Sequence, residues 1–314
     1  CDRENEINAF EPEEYWSIDA ITQIDKKNKV DFKFYGDEKG KIELHSKDEV
    51  DLILKSIKNK DLVIKAVEKK ERKRSAPKPF TTSSLQQEAS GKLSFTTKKT
   101  MIVAQQLYEG VDIKGKGGLG LITYIRTDSF RISDEAQENA KNYINDKYGK
   151  DYFKKYQNNS KSKKKIQDAH ECIRPSYVDL APEDIEDSLS KEQFKLYKLI
   201  WERFIATMMA DAIYDSQNIS ASIDKYIFKT SGSKLKFDGF MKVYSFSSQE
   251  ETILPDMKEE SVFPVKKIDP KQHFTQPPAR YSEASLVKTL EELGIGRPST
   301  YAPTISTILQ RDYV

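Results

Sequence analysis

Residues Lys191–Ile223 read KEQFKLYKLIWERFIATMMADAIYDSQNISASI, and the period of the apolar residues changes inside this stretch. As far as Met209, the residues Phe194, Tyr197, Leu199, Trp201, Phe204 and Met208 recur at the spacing that lines one face of a helix. From Tyr214 onward, Ile219, Ala221 and Ile223 alternate with polar residues, as in a strand with one buried face. The switch marks a domain boundary near Ala210–Ile213. The aromatic face of the helix reads as packing rather than as a platform for stacking bases.

Downstream, Leu235 and Phe237, then Met241, Val243 and Phe246, continue the alternation. Near the start, Trp16, Ile18 and Ala20 alternate, as do Val30, Phe32 and Phe34. Val50, Ile53, Leu54 and Ile57 form one helical face between these strands and the alternating Val63, Lys65 and Val67. Pro77 and Pro79 then stop regular structure. Helical texture runs from Phe80 to about Ala210, opening on Ser84 and Gln87 as a capping box and continuing through Thr100–Tyr108 and Ser133–Tyr148.

The expected fold is therefore α+β and multidomain, a discontinuous strand-rich domain interrupted by an inserted helical domain. Its expected parts are 1–79 and 212–266 for the strand-rich domain, 80–211 for the helical one, and 267–314 as the start of a further helical domain. The two neighbouring crossings make a natural hinge.

A chain of 314 residues and 36.2 kDa suits two or three domains. With 37% hydrophobic and 32% charged residues, its composition excludes a membrane protein and a disordered tail. Cys1 and Cys172 form no C-x-x-C pair, so neither a disulfide framework nor a zinc site is expected, and a reducing cytoplasm is. A net charge of +2 argues against a uniformly basic nucleic-acid coat. The cationic runs Lys69–Lys78 and Lys154–Lys165 read as solvated linkers, with a phosphate-facing role as the alternative. The chain opens on Cys1 rather than Met and closes with Ile305, Ile308 and Leu309 still in period, so an internal fragment is expected.

Gly117–Ser129 reads GGLGLITYIRTDS. Its glycines permit close backbone approach, and the alternation that follows suggests a short strand placing Tyr124 and Arg126 on one face. A tyrosine phenol ionises near pH ~10 and is a weak nucleophile until a cation favours the phenolate. A guanidinium can do that and also hold a phosphate by paired hydrogen bonds. Taken alone, Tyr-x-Arg in a chain with 16 tyrosines carries little weight.

That segment resembles the active-site motif of type IA DNA topoisomerases, of the bacterial kind. Three further segments resemble the same family in the same order: PFTTSSLQQEAS from Pro79 to Ser90, AHECIRP from Ala169 to Pro175, and QPPARYSEASLV at 276–287 with GIGRPSTYA at 294–302. EPEEYWSIDA, at 11–20, adds to it.

The resemblance implies that Tyr124 attacks one strand of DNA, forms a 5′-phosphotyrosyl bond and releases a 3′-hydroxyl that later reverses the step. Negative supercoils are thereby relaxed without ATP. It implies Arg126 as the group that stabilises phosphate charge and His170 as an assistant near the scissile phosphate. Arg174 is a further candidate for a DNA contact: it would share a face with His170 in a helix, although Pro175 ends any helix there. The resemblance also points to Arg280, Ser282, Arg297, Ser299 and Thr300 as backbone contacts to single-stranded DNA, whereas ordinary capping explains most such helix starts.

A monomeric enzyme acting on single-stranded and negatively supercoiled DNA, with no membrane partner, is what the resemblance implies. The family's magnesium is held by an acidic cluster in a preceding domain of the Toprim type; no matching cluster is found here, so no metal ligand is expected in this chain. Glu183, Asp184, Glu186 and Asp187 follow Pro182 as the first turn of a helix does. By itself the chain is expected not to relax DNA. Two rivals stand beside this reading: a non-catalytic DNA-binding or gate module, and a tyrosine recombinase, whose arginine and histidine constellation has no place here.

Overall fold

The computed structural model describes residues 2–158, 170–245 and 251–313. In chain order it begins with α1 (Asp2–Asn8), β1 (Glu14–Gln23), β2 (Lys29–Asp37), β3 (Gly40–Lys41), α2 (Lys47–Ile57) and β4 (Leu62–Arg74). There follow α3 (Thr82–Leu93), α4 (Thr97–Glu109), the hairpin β5 (Val111–Ile113) and β6 (Gly117–Leu119), α5 (Asp134–Lys147) and α6 (Lys191–Thr207). The chain closes with β7 (Ala212–Ile223), β8 (Tyr226–Phe237), β9 (Val262–Phe263), β10 (Val265–Phe274), α7 (Glu283–Glu292) and α8 (Tyr301–Gln310). These elements form two compact units, one of Cys1–Arg74, Ile213–Phe237 and Gln249–Arg280, the other of Ser75–Ala212, Asp238–Ser248 and Tyr281–Val314.

The first unit is a sheet in the order β10-β1-β2-β8-β7-β4-β9, with β3 beside β2. Alternation decides its inner face. Ile18 and Ala20 of β1, Val30 and Phe32 of β2, and Ile219, Ala221 and Ile223 of β7 are buried together with Val50, Ile53 and Ile57 of α2. Burying side chains of this size contributes roughly 1.5–3 kcal/mol each, before the entropy of ordering them is subtracted. Helix α2 starts at a capping box, Ser46 accepting from the Glu49 amide while the Glu49 carboxylate accepts from the Ser46 amide.

Several expectations need correction. In β4 the buried side chains are Leu62 and Ile64, not Val63 and Val67, and the strand runs on to Arg74. The basic run read as a linker is thus largely a sheet strand, in which Lys69 pairs with Asp256 and Lys236 with Glu71. Residues 159–165 of the second run, and Ala169, lie outside the described residues.

The boundary expected at 267 falls inside β10, which pairs antiparallel with β1 from Glu14↔Phe274 to Thr22↔Val265. Its sequence, VKKIDPKQHF, has too few apolar residues to show period 2, and Pro270 is tolerated because β10 is an edge strand. Tyr281–Val314 falls in the helical unit rather than opening a third domain. Met241, expected in a strand, lies in the 3-10 turn Gly239–Lys242, with Val243 just after it; Phe246 lies outside the described residues. Gly239, at φ +50°, presses so closely on Ala210 and Asp211 that a Cβ would meet their carbonyls within 2.6 Å. That close approach keeps the segment in the helical unit.

In the helical unit, α6 buries Leu196, Tyr197, Leu199, Ile200, Trp201, Phe204 and Ile205, which leaves its aromatic face as core. Helix α3 begins one turn earlier than expected, with Thr81 and Ser84 as its reciprocal cap instead of Ser84 and Gln87. The acidic residues after Pro182 fall in two short 3-10 turns, and Glu183 pairs with Lys198 at 2.5 Å.

Candidate active site

Three sequence-distant stretches of the helical unit are sewn together around Tyr124. Thr82, the first residue of α3, donates its hydroxyl to the Ile125 carbonyl at 2.7 Å and accepts the Thr127 amide at 2.9 Å. The Thr82 amide, one of the helix-start donors without an intrahelical partner, donates to the Thr127 carbonyl at 2.9 Å. On the other side, the Thr123 hydroxyl donates to the Cys172 carbonyl at 2.7 Å and its amide to the Arg174 carbonyl at 3.0 Å. The Ile173 amide reaches the Phe80 carbonyl at 2.8 Å and closes the set. Thr82 is fully buried and Thr127 nearly so, and inside a protein such bonds are costly to leave unmade.

Residues 121–129 bend at Ile125 and Arg126 and are not the strand expected. Their one ladder contact is the isolated bridge Ile122↔Pro175, because the flanking partners are a helix end and a loop. Period 2 survives in the burial: Ile125, Thr127 and Ser129 point inward while Tyr124, Arg126 and Asp128 are exposed. Of the glycines, it is Gly120 that meets the expected close approach, since a Cβ there would lie 2.7 Å from the Tyr108 carbonyl oxygen.

The Tyr124 ring is 37% exposed, with the His170 ring 5.1 Å away at 36° and the Tyr108 ring 5.7 Å away at 67°. Arg126 is exposed and has no hydrogen bond or ion pair among the described residues, which leaves its five donors available. Burial pushes the phenols of Tyr143 and Tyr156 up to about 12, and burial with the Asp238 carboxylate does the same to Tyr152, which makes these three poor nucleophiles at neutral pH. Burial likewise raises the Cys172 thiol to about 12, so this cysteine is inert packing.

Tyr124 and Arg126 form one wall of a cleft of about 720 Å³. Met101, Ile102 and Gln105 of α4 line it, and Pro298, Ser299 and Ala302 face them from the carboxy-terminal segment. A larger groove, of about 870 Å³, lies on the sheet unit, where Asp31 and Glu68 offset Lys33 and Lys229.

The expected site residues divide accordingly. Tyr124, Arg126 and His170 come together, and Ser299 joins the first two in the cleft. Arg174 does not present its charge: its side chain is 13% exposed and its guanidinium grips the Glu171 carboxylate at 2.6 Å. Glu171 also accepts the Ser133 amide at 2.5 Å, so this pair braces the loop from inside. Arg280 belongs to the sheet unit, bonded to Glu4 at 2.7 and 3.0 Å. Ser282 is occupied in a capping box with Ser285 at the start of α7. Thr300 is the N-cap of α8 but makes no cap bond; its hydroxyl accepts the Arg297 amide at 2.8 Å, and the Arg297 guanidinium turns to the Gly296 carbonyl at 2.7 Å. Sequence reasoning missed Tyr108, Thr82 and Thr123 as supports of the site. The PFTTSS segment was the available signal for Thr82; nothing local marked Tyr108.

Among the described residues no helix is long and apolar enough to cross a membrane. Compared with known proteins, residues 1–314 match a family model described as DNA topoisomerase. Among solved structures the chain is similar to full-length topoisomerase I from Thermotoga maritima, with 38% sequence identity and a TM-score of 0.83. The match covers 100% of this chain and 49% of that one, so the chain spans about half the length of that protein.

Proposed function

Since this chain belongs to the DNA topoisomerase family, whose substrate is DNA, we propose that Tyr124 is the nucleophile of a type IA, single-strand-cleaving isomerase. The Tyr124 oxygen attacks a backbone phosphorus, the bond from phosphorus to the 3′-oxygen breaks, and that oxygen leaves as a hydroxyl. The phenol proton passes to a base, for which the His170 imidazole stands nearest among the rings around Tyr124, and the same group returns it to the departing 3′-oxygen. The Arg126 guanidinium offers two parallel donors to the non-bridging phosphate oxygens and stabilises charge that grows during the attack. Because the phosphotyrosyl bond conserves the energy of the bond it replaces, the 3′-hydroxyl reverses the step without ATP.

One observation carries this reading: an exposed tyrosine, held by a buried threonine scaffold, opens onto the same cleft as an arginine that has no ion pair among the described residues. A second strand would pass while the break is open, with the hinge where the chain crosses between its two units. Ser299, Thr300 and Arg297 would hold the backbone of a single strand, positioning it without reading its sequence. Among the described residues no three Asp, Glu, His or Cys side chains converge closely enough to hold a metal ion; on this reading the family's magnesium is held by the acidic domain and not by this chain. On the same reading the chain alone binds single strands weakly, in a salt-dependent way, and forms no appreciable adduct.

The test uses a polypeptide in which this chain is joined to the acidic metal-binding domain of the family. Denaturing gels of labelled single strands should show a magnesium-dependent protein–DNA adduct, and Tyr124→Phe should abolish it while leaving DNA binding intact. Binding without any adduct in the unsubstituted protein would favour a non-catalytic gate module. An adduct that survives in Tyr124→Phe would remove Tyr124 from the mechanism.

A further inference from the structure

Tyr108 sits in the last turn of α4, which Gly110 ends at φ +132° with its amide bonded to the Gln106 carbonyl at 3.1 Å. The chain then leaves through the β5–β6 hairpin and returns against that same turn, where the Leu121 amide donates to the Leu107 carbonyl at 2.7 Å. Gly120 makes the crossing possible by lying against the Tyr108 carbonyl. Backbone geometry alone therefore carries Tyr124 alongside Tyr108, and their rings meet edge to face at 5.7 Å. The two rings are 38% and 37% exposed, so neither is there as core. The Tyr108 hydroxyl has no hydrogen-bond partner among the described residues, so only its ring has work to do.

With the backbone on either side of Tyr124 held by Thr82 and Thr123, the freedom left to the attacking oxygen is rotation about χ1 and χ2. The oxygen lies at the far end of the side chain, where a change of rotamer moves it by several ångströms. Resting on the reading of Tyr124 as the nucleophile, the geometry points to Tyr108 as a positioning residue, whose ring, 5.7 Å from that of Tyr124 and tilted 67° to it, restricts the rotamers open to the phenol. It touches no reacting atom. Its contribution is to keep the phenol aimed, and misplacement by about 1 Å is enough to cost a reaction ~10²-fold.

The experiment compares single-turnover adduct formation and single-strand affinity in the polypeptide that joins this chain to the acidic domain. Tyr108→Ala and Tyr108→Leu should slow adduct formation on the order of 10-fold with unchanged affinity, while Tyr108→Phe, which keeps the ring, stays within about 2-fold of the parent. Leucine keeps more of the apolar volume than alanine, so equal falls in the two variants would trace the loss to the missing ring rather than to unfilled space. Wild-type rates in both ring-less variants would overturn the proposal, and so would a Phe variant as slow as the Ala one. Tyr124→Phe runs in parallel: if it alone fails to form the adduct, the nucleophile stands and only the role of Tyr108 falls, whereas an adduct in that variant overturns both.

Discussion

The hydroxyl oxygen of Thr82 lies 2.9 Å from the Thr127 amide nitrogen, and neither residue is more than 3% exposed. A single side chain at the start of α3 thus holds both Ile125 and Thr127, on either side of the bend at Arg126, and with them the direction in which Tyr124 and Arg126 leave the surface. Replacing it by valine keeps the shape and deletes the acceptor. Thr82→Val should lower stability by ~1–3 kcal/mol, the cost of a buried unpaired amide, and slow adduct formation without abolishing it. Thermal unfolding together with single-turnover cleavage measures both, and an unaltered melting temperature would show that the bond is not structural.

Arg126 offers a planar fork, which an ammonium cannot copy. Arg126→Ala should slow adduct formation ~10²–10³-fold, with Arg126→Lys recovering only part of the loss. Affinity for single strands, read by fluorescence titration, should change far less than the rate. Equal losses in rate and affinity would recast Arg126 as a binding group.

Glu202 on α6 has one carboxylate oxygen buried without a partner, and Lys198 stands 3.7 Å from the other. Burial pushes its pKa from the ordinary 4.5 to about 7, against the pull of Lys198 and with help from Glu183. The folded state therefore holds this proton more tightly than the unfolded state. The stability it contributes is full below pH 4.5 and is lost as pH rises through about 7. Glu202→Gln should stabilise the protein by on the order of 1–2 kcal/mol near pH 8 and have little effect near pH 4. Identical pH profiles of melting for parent and variant would contradict this.

Glu88 of α3 sits among Arg203, Lys92 and the Tyr244 hydroxyl, bonded to the lysine at 2.7 Å. Burial pushes its carboxyl up, but the two cations and the phenol outweigh that and hold it below the usual range. Arg203 also donates to the Lys78 carbonyl at 2.6 Å, which ties this cluster to the segment entering α3. Glu88→Ala leaves Arg203 and Lys92 facing each other and should cost ~3 kcal/mol. A loss below about 1 kcal/mol in denaturant titration would mean that water already screens the cluster.

Much of this was legible in the sequence, and the reason is local. A helix or strand that buries one face must repeat its apolar residues at 3.6 or 2, so α6, β1, β2 and β7 declared themselves. The change of period near Ala210 likewise falls beside the end of α6 at Thr207 and the start of β7 at Ala212. The motif around Tyr124 carried the resemblance, while its residue types and spacing taken alone carried little weight. What only the tertiary structure decided were relations between distant residues. The pairing of Glu14 with Phe274 leaves no mark in a polar edge strand whose bonds are made by backbone. The fold of the loop brings the Glu171 carboxylate onto the Arg174 guanidinium, which neither residue's own sequence signals. Gly239 drew its segment away from the sheet through contacts with Ala210 and Asp211 that no periodicity encodes. Tyr108 became part of the site because a hairpin folds back on a helix end, and the place where two segments meet in space is set by the whole chain, not by either segment's own sequence.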